Sequence, residues 1–296
     1  MIPLTAIILT YNEEQNLECC LKSLQGWCES IFVVDSGSTD ATLEICRRYP
    51  VSLFSHPYQD HASQWQWILS ELPYPPGLIL ALDADNIVTK KLKYQIDLIL
   101  RENNPDLGGY YITHTHYFRN QRVRGLKSKW LRLIRPEQVE VDLSELVDFR
   151  FAVKLPTGFL DGEIIESNQK ELSIDFWIDK HQKFSSRMAV EEFLRRNGAA
   201  DWAMTGRLFG NSDERMVWFK QIWYRLPLYL RPFLYFFYRY FLRLGFLDGA
   251  NGFIFHFLQA FWFRLVVDIK IAELNHKMKT GELSMEKISV EIKNRT

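Results

Sequence analysis

The sequence predicts an α/β fold: a mostly parallel sheet flanked by helices, followed by a helical, membrane-associating extension. Three observations predict it. Short apolar runs rich in β-branched residues alternate with segments of helical spacing. A polar cluster closes three of the four runs, at the edge where parallel sheets bind their ligands. The last third of the chain turns aromatic and basic.

Leu4 to Leu9 is a continuous apolar run that suits a strand buried on both faces, and it ends at Thr10-Tyr11-Asn12. Glu13 to Leu24 sets Leu17, Cys20, Leu21 and Leu24 at helical spacing. Ile31 to Val34 is a second strand, closed by Asp35-Ser36-Gly37-Ser38-Thr39-Asp40, where Thr39 or Asp40 can cap a helix over roughly Ala41 to Tyr49. Val51 to Phe54 is a third strand, and Leu78 to Leu82 a fourth that ends at Asp83-Ala84-Asp85. Strands and helices joined this closely wind a parallel sheet by right-handed crossovers. A helix over Lys90 to Arg101 is broken by Asn103-Asn104-Pro105. Gly109 to Phe118 and Lys129 to Ile134 read as strands, with a basic loop (Arg119, Arg122, Arg124, Lys127, Lys129) between them. Phe176 to Arg196 reads as one helix or two, with Trp177, Phe184, Met188 and Phe193 facing inward. The expected division is an α/β domain over 1–215 and an aromatic, basic helical extension over 216–296.

Composition narrows the classes. The 296 residues are 47% hydrophobic, enough for one sizeable core plus an appendage. Formal net charge is zero, so no chain-wide field favours nucleic acid. The four cysteines lie within the first 46 residues without a C-x-x-C pair, which reads as reduced, mostly buried thiols. The opening residues lack a basic n-region and a cleavage site and read as a strand, giving a cytoplasmic expectation.

Chemistry concentrates after the strands. Alternate residues of an extended chain point the same way, so Asp83 and Asp85 can face one diphosphate. Mg²⁺ or Mn²⁺ bound to a nucleotide takes one or two carboxylates plus phosphate oxygens, and this pair supplies them. In Thr10-Tyr11-Asn12-Glu13-Glu14 the ring can stack on a base while polar atoms reach the ribose; the same residues also suit a helix cap and acidic first turn. The cluster from Asp35 to Asp40 is likewise open between a ligand loop and a turn with a cap. Neither a P-loop nor a G-x-G-x-x-G fingerprint is present.

These three motifs, in this order and spacing, resemble glycosyltransferase family 2, the inverting GT-A enzymes. The close match covers about the first 100 residues. The resemblance implies a GT-A (Rossmann-like) fold, a nucleotide diphosphate-sugar donor, UDP foremost, and a divalent cation. It implies that Thr10, Tyr11, Glu14 and Asp35 line the nucleoside pocket, that Asp83 sits near the nucleotide and that Asp85 takes the metal. Trp177-Ile178-Asp179-Lys180-His181, Phe184-Ser185, Gly245-Phe246-Leu247-Asp248-Gly249 and Gly252-Phe253 resemble the bacterial branch with lipopolysaccharide-core β-1,4-glucosyltransferases and exopolysaccharide enzymes. The chain departs from that branch at Gln64-Trp65-Gln66, where Gln-Lys/Arg-Asn is usual, and at Glu166-Ser167, where a His-Glu pair is usual.

An inverting transfer needs a carboxylate to take the acceptor's proton. The candidates are Glu145, Asp148, Glu163 and Glu166. Asp148 comes first, because apolar and aromatic neighbours would raise its pKa; an ion pair with Arg150 is the alternative. Arg132 and Arg135 suit a diphosphate through bidentate contacts, or else form a solvated basic face, and Lys180 and His181 divide the same way.

Trp218 to Val267 holds no uninterrupted apolar run of about 20 residues. Its aromatics with Lys220, Arg225, Arg231, Arg239 and Arg243 suit helices lying in a membrane interface, arginines against anionic headgroups. A buried helical subdomain and a spanning hairpin are the alternatives. The expected protein is therefore a peripheral enzyme at the cytoplasmic face of the inner membrane. It would act on a lipid-linked glycan in surface polysaccharide or lipopolysaccharide synthesis. A sugar-phosphate nucleotidyltransferase and a catalytically silent scaffold are the rivals. The first wants a Gly-rich basic loop after the first strand, which Thr10-Tyr11-Asn12-Glu13-Glu14 is not.

Overall fold

The structure, a computed structural model, describes residues 3–102, 104–142, 149–202 and 204–284. Glu145 and Asp148 lie outside the described residues. The first half alternates as expected: β1 (Leu4–Thr10), α1 (Leu17–Leu24), β2 (Ser30–Asp35), α2 (Thr42–Arg47), β3 (Ser52–Ser55), α3 (His61–Glu71), β4 (Leu78–Asp83), β5 (Asn86–Val88) and α4 (Lys90–Glu102). Next come β6 (Gly109–Phe118), β7 (Gln121–Ile134), β8 (Val139–Asp142), β9 (Arg150–Val153) and β10 (Thr157–Glu166). The rest is helical: α5 (Ile174–Arg196), α6 (Ser212–Arg225), α7 (Arg231–Phe237), α8 (Gly249–His256) and α9 (Phe263–Lys279).

One eight-stranded sheet has the order β3-β2-β1-β4-β7-β6-β10-β5, with β7 and β5 antiparallel to their neighbours. Register aligns the carboxyl ends: Thr10 stands opposite Asp35 and Leu9 opposite Asp83. Strand periodicity divides the core. Leu4, Ala6 and Ile8 of β1 face α1, α2 and α4, while Ile7 faces α3 and the β8–β9 ribbon. The four apolar residues of α1 are all buried against the first layer. Truncating one, as in Leu21→Ala, removes about 2–5 kcal/mol.

Two sequence expectations are corrected here. The basic stretch after Phe118 is strand, since β6 and β7 form a hairpin whose turn residues Arg119 and Asn120 both take positive φ, 51° and 62°. That is the backbone a two-residue hairpin turn requires, and its basic side chains stand on the exposed positions of a half-solvated ribbon. Secondly, Arg231 and Arg239 do not face a membrane; they are 0% and 2% exposed. Arg231 donates to Glu192 of α5 at 2.6 Å and to Asp268 of α9, pinning α7 between those helices.

The C-terminal helices pack on the sheet where Phe118 of β6 and Val123 of β7 meet Trp177 of α5 and Phe255 of α8, and on one another through Ala189 of α5 with Phe263, Val267 and Ile271 of α9. Gly245 to Lys279 forms one helical run, interrupted by a π turn at Phe257–Trp262 and long and apolar enough to cross a bilayer by length and composition. Within Trp218 to Val267 no apolar stretch of about 20 residues is uninterrupted, as the sequence reading has it, since Arg243, Asp248 and Arg264 punctuate it.

Candidate active site

The carboxyl ends of β1 and β4 open into a cleft of about 1080 Å³. Two loops build one side of it. Asn12, at φ 53°, donates its N–H to Ser38 Oγ at 2.8 Å and accepts from Thr39 N–H at 2.8 Å. Glu13 N–H donates to Thr42 Oγ1, and Glu14 accepts from Ala41 N–H while its own N–H donates to Asp40. The loops after β1 and β2 are thus fastened into a single ledge. Tyr11 projects from it, 55% exposed, with its ring free for a planar ligand.

Asp35 sits beneath the ledge, 3% exposed. One carboxylate oxygen accepts from Gly37 and Ser38 N–H at 2.9 Å each, and the other accepts from Ser38 Oγ. Gly37 takes φ 89°, which a side chain would strain. Asp35 therefore shapes the ledge from behind, and the neighbouring Ser36 lines the cleft.

Asp83 and Asp85 both line the cleft. Asp83 pairs with Arg132 at 3.2 Å. Asp85 accepts from Asn86 at 2.9 Å and Asn168 at 3.2 Å, and its backbone carbonyl accepts from Ser167 N–H. That last bond brings the end of β10 alongside, and with it Glu166. Burial first, then the Glu166 charge, pushes the Asp85 carboxyl well above the usual range; Asp83 and Glu13 add to this and Lys180 opposes it. Burial acts to raise Glu166 too, but His116 and His114 outweigh it and hold that carboxyl well below its ordinary value. His116 Nδ1 lies 3.2 Å from Glu166 and His114 Nδ1 3.9 Å. Burial keeps His114 itself neutral more readily than usual.

Thr10, Tyr11, Asp83, Asp85 and Arg132 thus meet in one cleft. Arg132 is buried at the wall of the cleft, and its Nε and Nη1 have no partner among the described residues. Glu14 stays outside the cleft, spent on fastening the two loops. Arg135 is corrected outright: it donates to Leu107 and Asn104 carbonyl oxygens at 3.0 and 2.9 Å, at the opposite edge of the sheet. The reason is direction. β7 runs antiparallel to β4, so each step from Arg132 toward Arg135 leads away from the carboxyl edge. Glu163 is engaged by Thr115 and Arg122 and does not line the cleft.

Sequence reasoning missed His114 and His116, although Thr113-His114-Thr115-His116 has the period that sets both on one face of a strand. It also missed that residues far along the chain close the site. Lys170 pairs with Glu13 at 2.6 Å, Trp177 comes from α5 beside Lys180 and His181, the pair the sequence did offer, and Gln259 and Arg264 come from the C-terminal helical run.

No group of three or more His, Cys, Asp or Glu residues suited to a metal occurs among the described residues. Two neighbouring acids with oxygen-bearing partners instead fit a hard cation shared with phosphate oxygens. Burial and, after it, the neighbouring Glu166 charge raise the Asp85 carboxyl, and a bound cation would offset both.

Comparison with known proteins agrees with this picture. The family described as Glycosyl transferase family 2 matches residues 5–151. The chain is similar to LpsC of Rhizobium meliloti (strain 1021), a lipopolysaccharide core biosynthesis glycosyltransferase. The two are 28% identical over 275 residues, which is 88% of this chain and 91% of that relative. An uncharacterized glycosyltransferase of Rickettsia bellii (strain RML369-C) is 29% identical over 103 residues, 35% of this chain and 34% of the relative. Among solved structures, S. aureus TarS 1-349 overlaps 95% of this chain and 92% of its own, at 14% identity and a TM-score of 0.38.

Proposed function

Because the chain belongs to glycosyl transferase family 2 and is a glycosyltransferase, we propose that it moves a sugar, with inversion, from a UDP-linked donor to a lipid-linked glycan in lipopolysaccharide core synthesis. One observation carries the donor part. Asp85 and Glu166 adjoin at the carboxyl edge of the sheet, in the same cleft as the exposed Tyr11 ring and the unpartnered Arg132 donors.

In this reading Tyr11 stacks on the base, with Thr10 and the ledge that Glu14 and Asp35 stiffen reaching the nucleoside. Arg132, oriented by Asp83, donates to the diphosphate. Asp85, with Glu166 beside it and Asp83 nearby, holds Mg²⁺ or Mn²⁺. That ion supplies charge to offset the leaving nucleoside diphosphate. The acceptor hydroxyl gives its proton to Asp148, with Glu145 as the other candidate from the sequence. Glu166 is better suited to the cation than to the proton, because two histidines hold it ionised.

The membrane part rests on a different surface. Phe233, Phe237, Phe241, Leu242, Leu247 and Phe253 are exposed. Ring contacts such as Phe233–Phe261 and Phe236–Phe257 join α7 to the long helical run, so the apolar face is continuous. Exposed Arg225 and Arg243 remain for anionic headgroups. With Phe255, Phe263, Val267 and Ile271 buried against the protein, this run suits the interface of the cytoplasmic leaflet better than its interior. We divide the chain accordingly into a donor-binding and catalytic unit, 1–215, and an interfacial extension, 216–296.

The test is release of UDP from UDP-sugars in the presence of Mn²⁺. Asp85→Asn is expected to abolish it while the thermal unfolding curve keeps its cooperative shape, and Glu166→Gln to raise the Mn²⁺ concentration needed. Turnover by Asp85→Asn close to wild type would overturn the assignment.

A further inference from the structure

The C-terminal helices treat two buried arginines and a half-buried one in two ways. Arg231 is fully provided for by Glu192, Asp268 and the Trp223 carbonyl. Arg239, almost as buried, has no partner for Nε or Nη2 among the described residues. Arg264 lines the cleft; among the described residues its Nε has no partner, its Nη1 donates to Met188 Sδ at 2.9 Å, and its guanidinium also meets the Tyr235 hydroxyl. The two guanidinium groups flank one ring, with their central carbons 5.4 and 5.6 Å from the centroid of Tyr235.

No carboxylate answers this charge among the described residues. Asp268 and Glu192 are held by Arg231, and Asp248 by Arg124 at 2.7 Å. His256, beside Arg239 and fully buried, supplies none either: burial and then Arg239 pull its pKa down to about 4. At Tyr235, burial acts upward but the two arginines outweigh it and lower the hydroxyl's pKa. Burying guanidinium groups without a counter-charge is costly, and the cost persists unless something else supplies the charge.

We propose that Arg264, backed by Tyr235 and Arg239, forms a binding site for an oxyanion of the acceptor, a phosphate or a carboxylate, on the wall of the cleft built by the C-terminal helices. An oxyanion offers an acceptor to the Arg264 Nε, which has none among the described residues, and the negative charge that neither Tyr235 nor Met188 brings. The rings of Trp223 and Phe263, each within 6 Å of the Arg264 guanidinium, exclude water there and strengthen the contact. The inference rests on the cleft being the donor and acceptor site, and it makes the acceptor an acidic glycan.

The full-length protein is titrated by calorimetry with glucose 6-phosphate, glucuronate and, as neutral control, glucose; UDP with Mn²⁺ is titrated separately. The expected result is binding of at least one acidic probe and not of glucose. Glucose 6-phosphate alone would assign a phosphorylated acceptor, glucuronate alone an acidic sugar. Arg264→Gln should weaken that binding between about tenfold and a hundredfold, and Arg264→Lys by less, with UDP–Mn²⁺ binding unchanged. If neither acid binds wild type while UDP–Mn²⁺ does, this site is refuted and the donor reading stands. Unaltered binding by Arg264→Gln at the wild-type melting temperature also refutes it. Loss of UDP–Mn²⁺ binding in wild type instead counts against the donor reading.

Discussion

Replacing Arg231 with methionine tests whether the C-terminal helices are locked by charge. Methionine keeps much of the stem's volume but leaves two buried carboxylates short of a partner. Glu192 would retain Arg196 at 2.7 Å, and Asp268 would retain the Tyr229 N–H at 2.8 Å. Breaking a buried pair from one side costs about 3–5 kcal/mol, and these remaining contacts put the cost near the lower end, about 3 kcal/mol. For a chain of this size that lowers Tm by roughly 6–12 °C, read by circular dichroism at neutral pH. Arg231→Met with Asp268→Leu should recover a large part of the loss, since an apolar replacement removes the stranded charge. A single-variant shift below about 2 °C, or no recovery in the double variant, would refute the reasoning.

Three further outcomes are expected. Phe237→Ser with Phe241→Ser and Leu247→Ser should cut co-sedimentation with vesicles of anionic phospholipid while leaving Tm within about 2 °C, because these side chains are exposed. Gly252→Ala should cost about 1–3 kcal/mol by chemical denaturation, since its Cβ would stand 2.4 Å from the Gly245 carbonyl oxygen. His256 has a folded pKa of about 4 against about 6.5 unfolded, so the unfolded chain binds the extra proton between those values. Its contribution is complete above pH 6.5 and falls away as pH drops, by about 2.5 kcal/mol at pH 4.5; urea midpoints should follow it, and His256→Asn should flatten that slope.

How much was legible depended on how many atoms decide each feature. The runs at Leu4, Ile31 and Leu78 announced buried parallel strands because nothing but a two-sided interior tolerates such continuity. Asp83 and Asp85 were readable for the same reason, being the first polar residues past such a run. Arg132 and Arg135 looked alike in sequence, yet strand direction sends one to the cleft and the other to the far edge. Arg231 and Arg239 sat in an aromatic, basic stretch whose composition says nothing of which side faces in; acids 39 and 37 residues away along the chain decided that for Arg231. Helix α3, its cap Asp60 accepting from Ser63 N–H, was passed over because Gln64-Trp65-Gln66 gives only a weak apolar stripe. Glu166 had been noted as a departure from a sequence pattern, but its two histidines come from a neighbouring strand and no spacing connects them.

The cleft takes its ledge from residues near position 10 and one wall from residues near position 260. During synthesis the amino-terminal strands leave the ribosome first and can fold while the wall is still untranslated. A nascent chain could therefore hold a nucleotide before it has anywhere to seat a second substrate. On the reading proposed above, the wall that meets the second substrate forms only once α9 docks on α5, so the last helix made would complete the site.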